Sequence, residues 1–573
     1  MRDATMNTEV QNRQPRAPLD PITVEVVRNK LEGIANEMEM TLLKSSFSPI
    51  VKEGLDASAS LFTPDGMTIA QACSIPIHLA TLIPAVQKMI ETYPVTEMHP
   101  GDVYILNDPY CGGTHLPDIA IMAPVLYQGQ VIALSAAMTH HGDVGGMSPG
   151  SLPTNATEIY QEGIRIPPLK LRDAGVLNAT LVAMLRQNVR MPDTFMGDIH
   201  AQIAASQVGV RRLTELADSY GAEALAAIFE DLLNRSERLT RNALRAIPAG
   251  TYRYVDFLDN DGIDLERQVR IEVAVTVKDG NIAFDFEGTS AQLKGPFNCV
   301  KSGSQAAAYF AVRALTDPSI PTNGGCFRPV SLYLPEGTLV NPREPAAVNA
   351  RTSTIKRITG CMIGALAQVM PEKVPAAAAG ELLVVVFGGQ RNDRSAYIVG
   401  ELIASGSGAA SDRDGVDVIE TDATNCMNLP AEAMEMEAPI RVHRVALRCD
   451  SGGAGEYRGG LGVVREYEML EDNVRFSHRG ERHFSRAAGL LGGQPGASAH
   501  SSIVRANGAE EVIPSKAMAV LGKGDRVILQ TAGGGGFGEP GRRTHVAEDV
   551  ANGKVSEQAA RELYVSTEDR ILQ

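Results

Sequence analysis

The chain has 573 residues, which at roughly 150 residues per domain points to several domains or large lobes with room for a sizeable core. With 44% apolar and 21% charged residues, and no run near the ~20 apolar residues of a membrane helix, it reads as a globular chain, neither disordered nor membrane-spanning. Fifty-three basic against 68 acidic residues give a formal net charge of −15, a sign that repels nucleic acid and anionic lipid and argues against a role in binding either.

Residues 1–18 are polar, contain two prolines and lack the apolar core of a secretory signal, so they read as a flexible tail. Asp20-Pro21 then opens a helix as N-cap and first-turn proline. Val27, Leu31, Ile34, Met38 and Leu42 mark its apolar face over about 25 residues. After Ser48-Pro49 the mixed segment VKEGLDASASLFTPDG reads as a strand running into an Asp65-Gly66 turn. Short apolar strands follow over 102–139, VYIL, IAIMAPVLY and VIALSAAM, the last two joined through Gln128-Gly129-Gln130. Residues 175–247 turn helical until Pro248. Beyond it, Val269 to Val277 alternate strictly, Asp279-Gly280 turns the chain, and Ile282, Phe284 and Phe286 alternate back as a hairpin over 269–286. After 430 glycine and short strands dominate, and a small helix closes the chain around 556–564.

The fold class expected is α+β and multi-lobed: a helical and mixed-sheet N-terminal half and a glycine-rich β C-terminal half. The divisions fall at 1–18 (tail), 19–247, 248–430 and 431–573. Seven cysteines are scattered with no C-x-x-C pair, which predicts a reducing, cytoplasmic compartment rather than a disulfide framework.

The densest chemistry is NDPYCGGTHLPD at 107–118, followed by THHGDVGG at 139–146. His115 and Asp118, separated by two residues, lie at the start of one apolar strand, and His140 ends a second. Imidazole nitrogens and carboxylate oxygens are ligands for Zn²⁺, Mn²⁺ and Fe²⁺, and two near ligands with one distant is a common construction. A fourth ligand comes from elsewhere, with Glu53 and Asp56 both open to the role. Gly146 to Gly150 matches the G-x-S-x-G nucleophile pattern, but Pro149 has no N–H to give an oxyanion hole. No G-x-x-x-x-G-K-[ST] loop occurs. The glycine stretches at 451–462, 489–496 and 532–538 read as tight backbone packing rather than anion cradles. Arg165 in EGIRIPP pairs either a substrate carboxylate or a structural one.

NDPYCGGTHLPDI, HHGDVGG, EGIRIPPLKL, FDFEGTSAQLKGPFN, SGGAGEYRGGLGVVREY and GDRVILQTAGGGGFGEP together resemble the hydantoinase B / oxoprolinase family, in order over nearly the whole chain. The resemblance implies a metal-binding subunit working with a hydantoinase A type partner that holds ATP and Mg²⁺, as a heterotetramer with two copies of each. Members open lactam, hydantoin or 5-oxoproline rings at the expense of ATP; related complexes carboxylate acetone or acetophenone. The family's ligand pattern, a Glu, His-x-x-Asp and a further His, falls on Glu53, His115, Asp118 and His140. Where the family often has K-E-R-x-D this chain has Lys52-Glu53-Gly54-Leu55-Asp56, so an arginine is missing beside the implied ligand.

The expected function is therefore that of an ATP-dependent cyclic amidohydrolase active only with its partner. The partner phosphorylates the amide carbonyl, which removes the resonance that protects it, and water on the divalent cation attacks the activated carbon. His141 or Asp143 accepts the proton, and Arg165 is placed at the substrate. The alternatives are a ketone carboxylase subunit, disfavoured because the relatives of that kind tend to be longer, and a non-catalytic scaffold.

Overall fold

The computed structural model describes residues 19–391 and 393–564; the tail expected over 1–18 lies outside the described residues. Helix α1 (Pro21–Ser45) starts where the Asp20 carboxylate accepts the free N–H groups of Ile22 and Thr23. It buries Val27, Leu31, Ile34, Met38 and Leu42, the face set by the helical period. The segment after Pro49 departs from the strand expected. It first makes a single turn, α2 (Pro49–Lys52), because Ser48 and Pro49 open a helix as readily as they end one, and only then β1 (Ala57–Phe62).

The first sheet has the order β2-β1-β5-β4-β3-β6-β7 and is antiparallel throughout. Its members are β1, β2 (Thr68–Gln71), β3 (Val103–Leu106), β4 (Asp118–Tyr127), β5 (Gln130–His140), β6 (Leu169–Asp173) and β7 (Val176–Leu177). On β5, Ala133 and Ala137 join the core under α1, α5 (Pro192–Tyr220) and α6 (Ala222–Arg245). Leu134, Ala136 and Met138 point the other way, onto α3 (Pro76–Thr92). Helices cover both faces, which is why these strands read as continuous apolar runs rather than alternating ones. Helix α4 (Ala179–Asn188) completes this region.

Past α6, β8 (Gly250–Leu258), β9 (Val269–Lys278), β10 (Asn281–Asp285) and β11 (Val330–Tyr333) make a second sheet, ordered β11-β10-β9-β8. Val273 and Val275 of β9 and Phe284 of β10 bury on one face, against α7 (Lys301–Leu315) and α8 (Arg351–Ala367). The remaining strands are β12 (Leu383–Gln390), β13 (Ala396–Ile403), β14 (Ile440–Leu447), β15 (Val463–Met469), β16 (Val474–Arg479), β17 (His500–Val504), β18 (Glu510–Val512), β19 (Lys516–Leu521) and β20 (Arg526–Gln530). They form a β13-β12-β16-β19 sheet and a β14-β15-β20-β17-β18 sheet. The two share a core of Val385, Phe387, Phe476, Tyr467 and Leu529.

The division drawn at 430 does not separate structural units. β12 and β13 precede it, β16 and β19 follow it, and all four belong to one sheet, a non-local pairing with no local sequence signature. The glycine stretches pack backbone on backbone: Gly453 N–H donates to Gly534 C=O and Gly536 N–H to Gln494 C=O.

Candidate metal centre

The register of β4 on β5 sets Asp118 directly opposite His140. His115 lies three residues before Asp118, in the turn that leads into β4. That turn is clamped by Asn107, whose side-chain amide donates to Leu116 C=O (2.7 Å) and Ile164 C=O (3.0 Å) and accepts from Ile166 N–H (2.7 Å). The NDPY and EGIRIPP motifs thus meet through one asparagine. His115, Asp118 and His140 are all buried and offer three ligand atoms within 4.8 Å of one another. His115 Nε2 is 2.8 Å and His140 Nδ1 3.2 Å from Asp118 Oδ1.

The hydrogen bonds around the cluster leave lone pairs pointing inward. Asp118 Oδ2 accepts from the Thr114 hydroxyl (2.7 Å) and from Arg351, so Oδ1 remains for the cluster. Burial opposes its charge, but the Arg351 guanidinium paired with it holds Asp118 well below the usual carboxylate range. His115 Nδ1 faces Asn349 C=O at 3.1 Å and must carry the ring proton there. Burial, helped by the Arg351 guanidinium, pushes His115 down to about 3, so its imidazole is neutral. Its Nε2 lone pair and the Asp118 oxygen therefore face each other at 2.8 Å, an approach that only a cation or proton between them makes favourable. The residues present fit a divalent metal.

Two further groups complete the surroundings. Asp56 is buried, and its backbone C=O accepts the His140 N–H at 3.1 Å. His78, in the first turn of α3, lies 3.4 Å from both Asp56 Oδ1 and Asp118 Oδ1. Burial disfavours its charge, yet the two carboxylates push His78 up. Sequence reasoning missed His78; its signal was a histidine inside the otherwise apolar run IHLATLI.

Glu53 is not brought to this cluster. It is the exposed C-cap of α2, and the chain then turns through Leu55 at φ 57°, delivering Asp56 inward. Of the two acids left open by the sequence, Asp56 is the one that lies beside the cluster, 3.4 Å from His78 and 4.0 Å from His140. Asp143 is committed to its loop, accepting from the N–H groups of Gly145, Gly150 and Arg190 and the Arg190 guanidinium. Arg165 pairs Asp108 and Glu344, both at 2.7 Å, so its structural partner is the one observed. His141 does stand beside His140, with its Nε2 3.0 Å from Gln202 Oε1. His140 and His141 line a cavity of about 190 Å³ whose walls include Phe47, Met191, Phe195 and Val386.

A hydantoinase B/oxoprolinase family model matches residues 20–540. The chain belongs to that family. The caprolactamase subunit beta of Pseudomonas jessenii is 33% identical over 95% of this chain and 95% of its own. A crystal structure of ATP-dependent caprolactamase from that organism superposes with a TM-score of 0.88 at 31% identity, covering 96% of this chain and 98% of the other. A nucleotide-free acetone carboxylase structure gives the same TM-score of 0.88 at 22% identity, covering 95% of this chain and 79% of that one, a likeness of fold. Among the described residues of this hydantoinase B/oxoprolinase member, no helix is long and apolar enough to cross a membrane.

Proposed function

We propose that this chain is the metal-binding subunit of an ATP-dependent cyclic amide hydrolase, with His115, Asp118, His140 and Asp56 as the ligands. The observation that carries the reading is the buried His/Asp cluster opening, through His140, onto a cavity with both apolar and polar walls in a family member that spans nearly all of the caprolactamase beta chain. The apolar part of the wall suits the methylenes of a lactam ring. A divalent cation in such a site supplies Lewis acidity and lowers the pKa of water.

The chain's own residues do the rest. Gln202 donates its amide N–H to Ile119 C=O at 2.7 Å, which turns its Oε1 toward His141. His141 then carries its proton on Nε2, and its Nδ1, buried without a partner, holds the lone pair. Burial pushes His141 down, so it is neutral and able to accept a proton. In the reaction proposed, a partner of hydantoinase A type, bearing ATP and Mg²⁺, phosphorylates the carbonyl oxygen. Water adds to that carbon and gives its proton to His141 Nδ1; the C–N bond breaks and the ring nitrogen takes up that proton, leaving an acyl phosphate that a second water hydrolyses to the carboxylate and phosphate. Carboxylation of a ketone is the second reading, and the acetone carboxylase likeness favours it only at the level of fold.

The test is to co-purify the chain with its partner and follow ATP consumption with caprolactam, a hydantoin, 5-oxoproline and acetone, each with and without bicarbonate. Consumption should follow a cyclic amide, need no bicarbonate, and vanish when either chain is assayed alone. Bicarbonate-requiring ATP use with acetone, and no turnover of any cyclic amide, overturns the proposal.

A further inference from the structure

The wall of the cavity at the cluster contains a buried cation, Arg479, that makes no ion pair with a carboxylate among the described residues. Arg479 ends β16, fixed in register opposite Val384 of β12 and Lys516 of β19, and is only 7% exposed. Its side chain lines the same cavity as His115, Asp118, His140 and Asp56. The one side-chain hydrogen bond it makes among the described residues, Nη1 to Asn349 C=O at 3.3 Å, shares the carbonyl that receives the His115 ring proton. Its Nε is buried and has no partner.

The acids around it are engaged elsewhere. Glu162 accepts the backbone N–H groups of Val348 and Asn349, and burial pushes it up to about 8, so at neutral pH it offers little negative charge. Glu481 is held by Lys516 at 2.6 Å. Asp118 is paired with Arg351, 3% exposed on the same cavity wall. Arg479 has no carboxylate within ion-pair distance among the described residues. Burial, with Arg351 adding to it and the Glu162 and Glu481 carboxyls opposing, pushes it down to about 9, which leaves it charged at neutral pH. A buried guanidinium left unpaired is costly, whereas a planar fork of donors beside a second guanidinium is a good receptor for a pair of anionic oxygens.

We infer that Arg479 is a binding residue for an anionic oxygen group of the reacting molecule, held in the cluster cavity beside the Asp118–Arg351 pair. This deepens the function proposed above and rests on it only for the identity of that molecule. Two sources have the chemistry: the phosphoryl group of an activated amide and the carboxylate released on ring opening.

The experiment titrates inorganic phosphate and acetate separately into the full-length, metal-stripped chain by calorimetry, comparing wild type, Arg479→Lys and Arg479→Gln. At least one anion should bind wild type saturably, weaken about tenfold or more in Arg479→Gln, and weaken less in Arg479→Lys, which keeps the charge but loses the fork. Phosphate selectivity assigns the phosphoryl source and acetate selectivity the carboxylate. Thermal midpoints and metal uptake are read on each variant, and Arg479→Lys carries the test if Arg479→Gln does not fold. No saturable binding by wild type, or affinity indifferent to substitution at Arg479, overturns the inference. Arg479-dependent binding in a complex that turns over no cyclic amide would sink the proposed function and leave the anion site standing. Turnover with Arg479-indifferent binding would do the reverse.

Discussion

His115, Asp118 and His140 could be picked out as individual residues because polar side chains at the ends of apolar strands stand out against the run that precedes them. Asp56 and Glu53 could not be separated, since the choice depends on one left-handed residue, Leu55. Arg479 was invisible because nothing local distinguishes a charge buried at a strand end from one facing water. The same holds for Glu381, which sits between the sheets and accepts the N–H groups of Ala532 (3.1 Å) and Glu481 (3.0 Å). Burial, reinforced by the Asp259 and Glu481 carboxylates and opposed by those two amides, pushes Glu381 up to about 7. A carboxyl whose folded pKa exceeds its unfolded value of about 4.5 stabilises the fold below that value, and the stabilisation is lost as pH rises toward 7. Over that window its contribution should fall by about 3 kcal/mol at most. Thermal melts should show Glu381→Gln, an uncharged isostere, flattening the wild-type decline between those pH values; parallel pH profiles for the two proteins would count against it.

Elements whose period is local were legible: α1, the β4–β5 pair and the β9–β10 hairpin follow from apolar spacing and turn residues. The glycine stretches were read correctly as packing, and the structure gives the physical reason. A Cβ on Gly534 would lie 1.8 Å from Ser407 C=O, against backbone that has nowhere to move. Gly33, exposed on α1, has nothing within 4 Å of the same added atom. Gly534→Ala should therefore destabilise by more than about 4 kcal/mol or prevent folding, while Gly33→Ala should stabilise by about 0.5–1 kcal/mol through helix propensity. Denaturant midpoints of the two variants check this, and a well-folded Gly534→Ala would show that the glycine layer is looser than described.

At the scale of the whole molecule, the site is a convergence of distant segments. Asp56 comes from the approach to β1, His78 from α3, Asp118 and His140 from β4 and β5, Arg351 from α8 and Arg479 from β16. Sequence order hides that convergence, and it also hid the sheet that crosses residue 430. The proposed function requires that this convergence hold a metal. Elemental analysis of purified wild type should find about one divalent metal per chain. The loss should be complete in His115→Ala with Asp118→Ala and severe in Asp56→Asn, with full content kept in Glu53→Gln. Full metal in the double variant, or loss in Glu53→Gln with retention in Asp56→Asn, would contradict it.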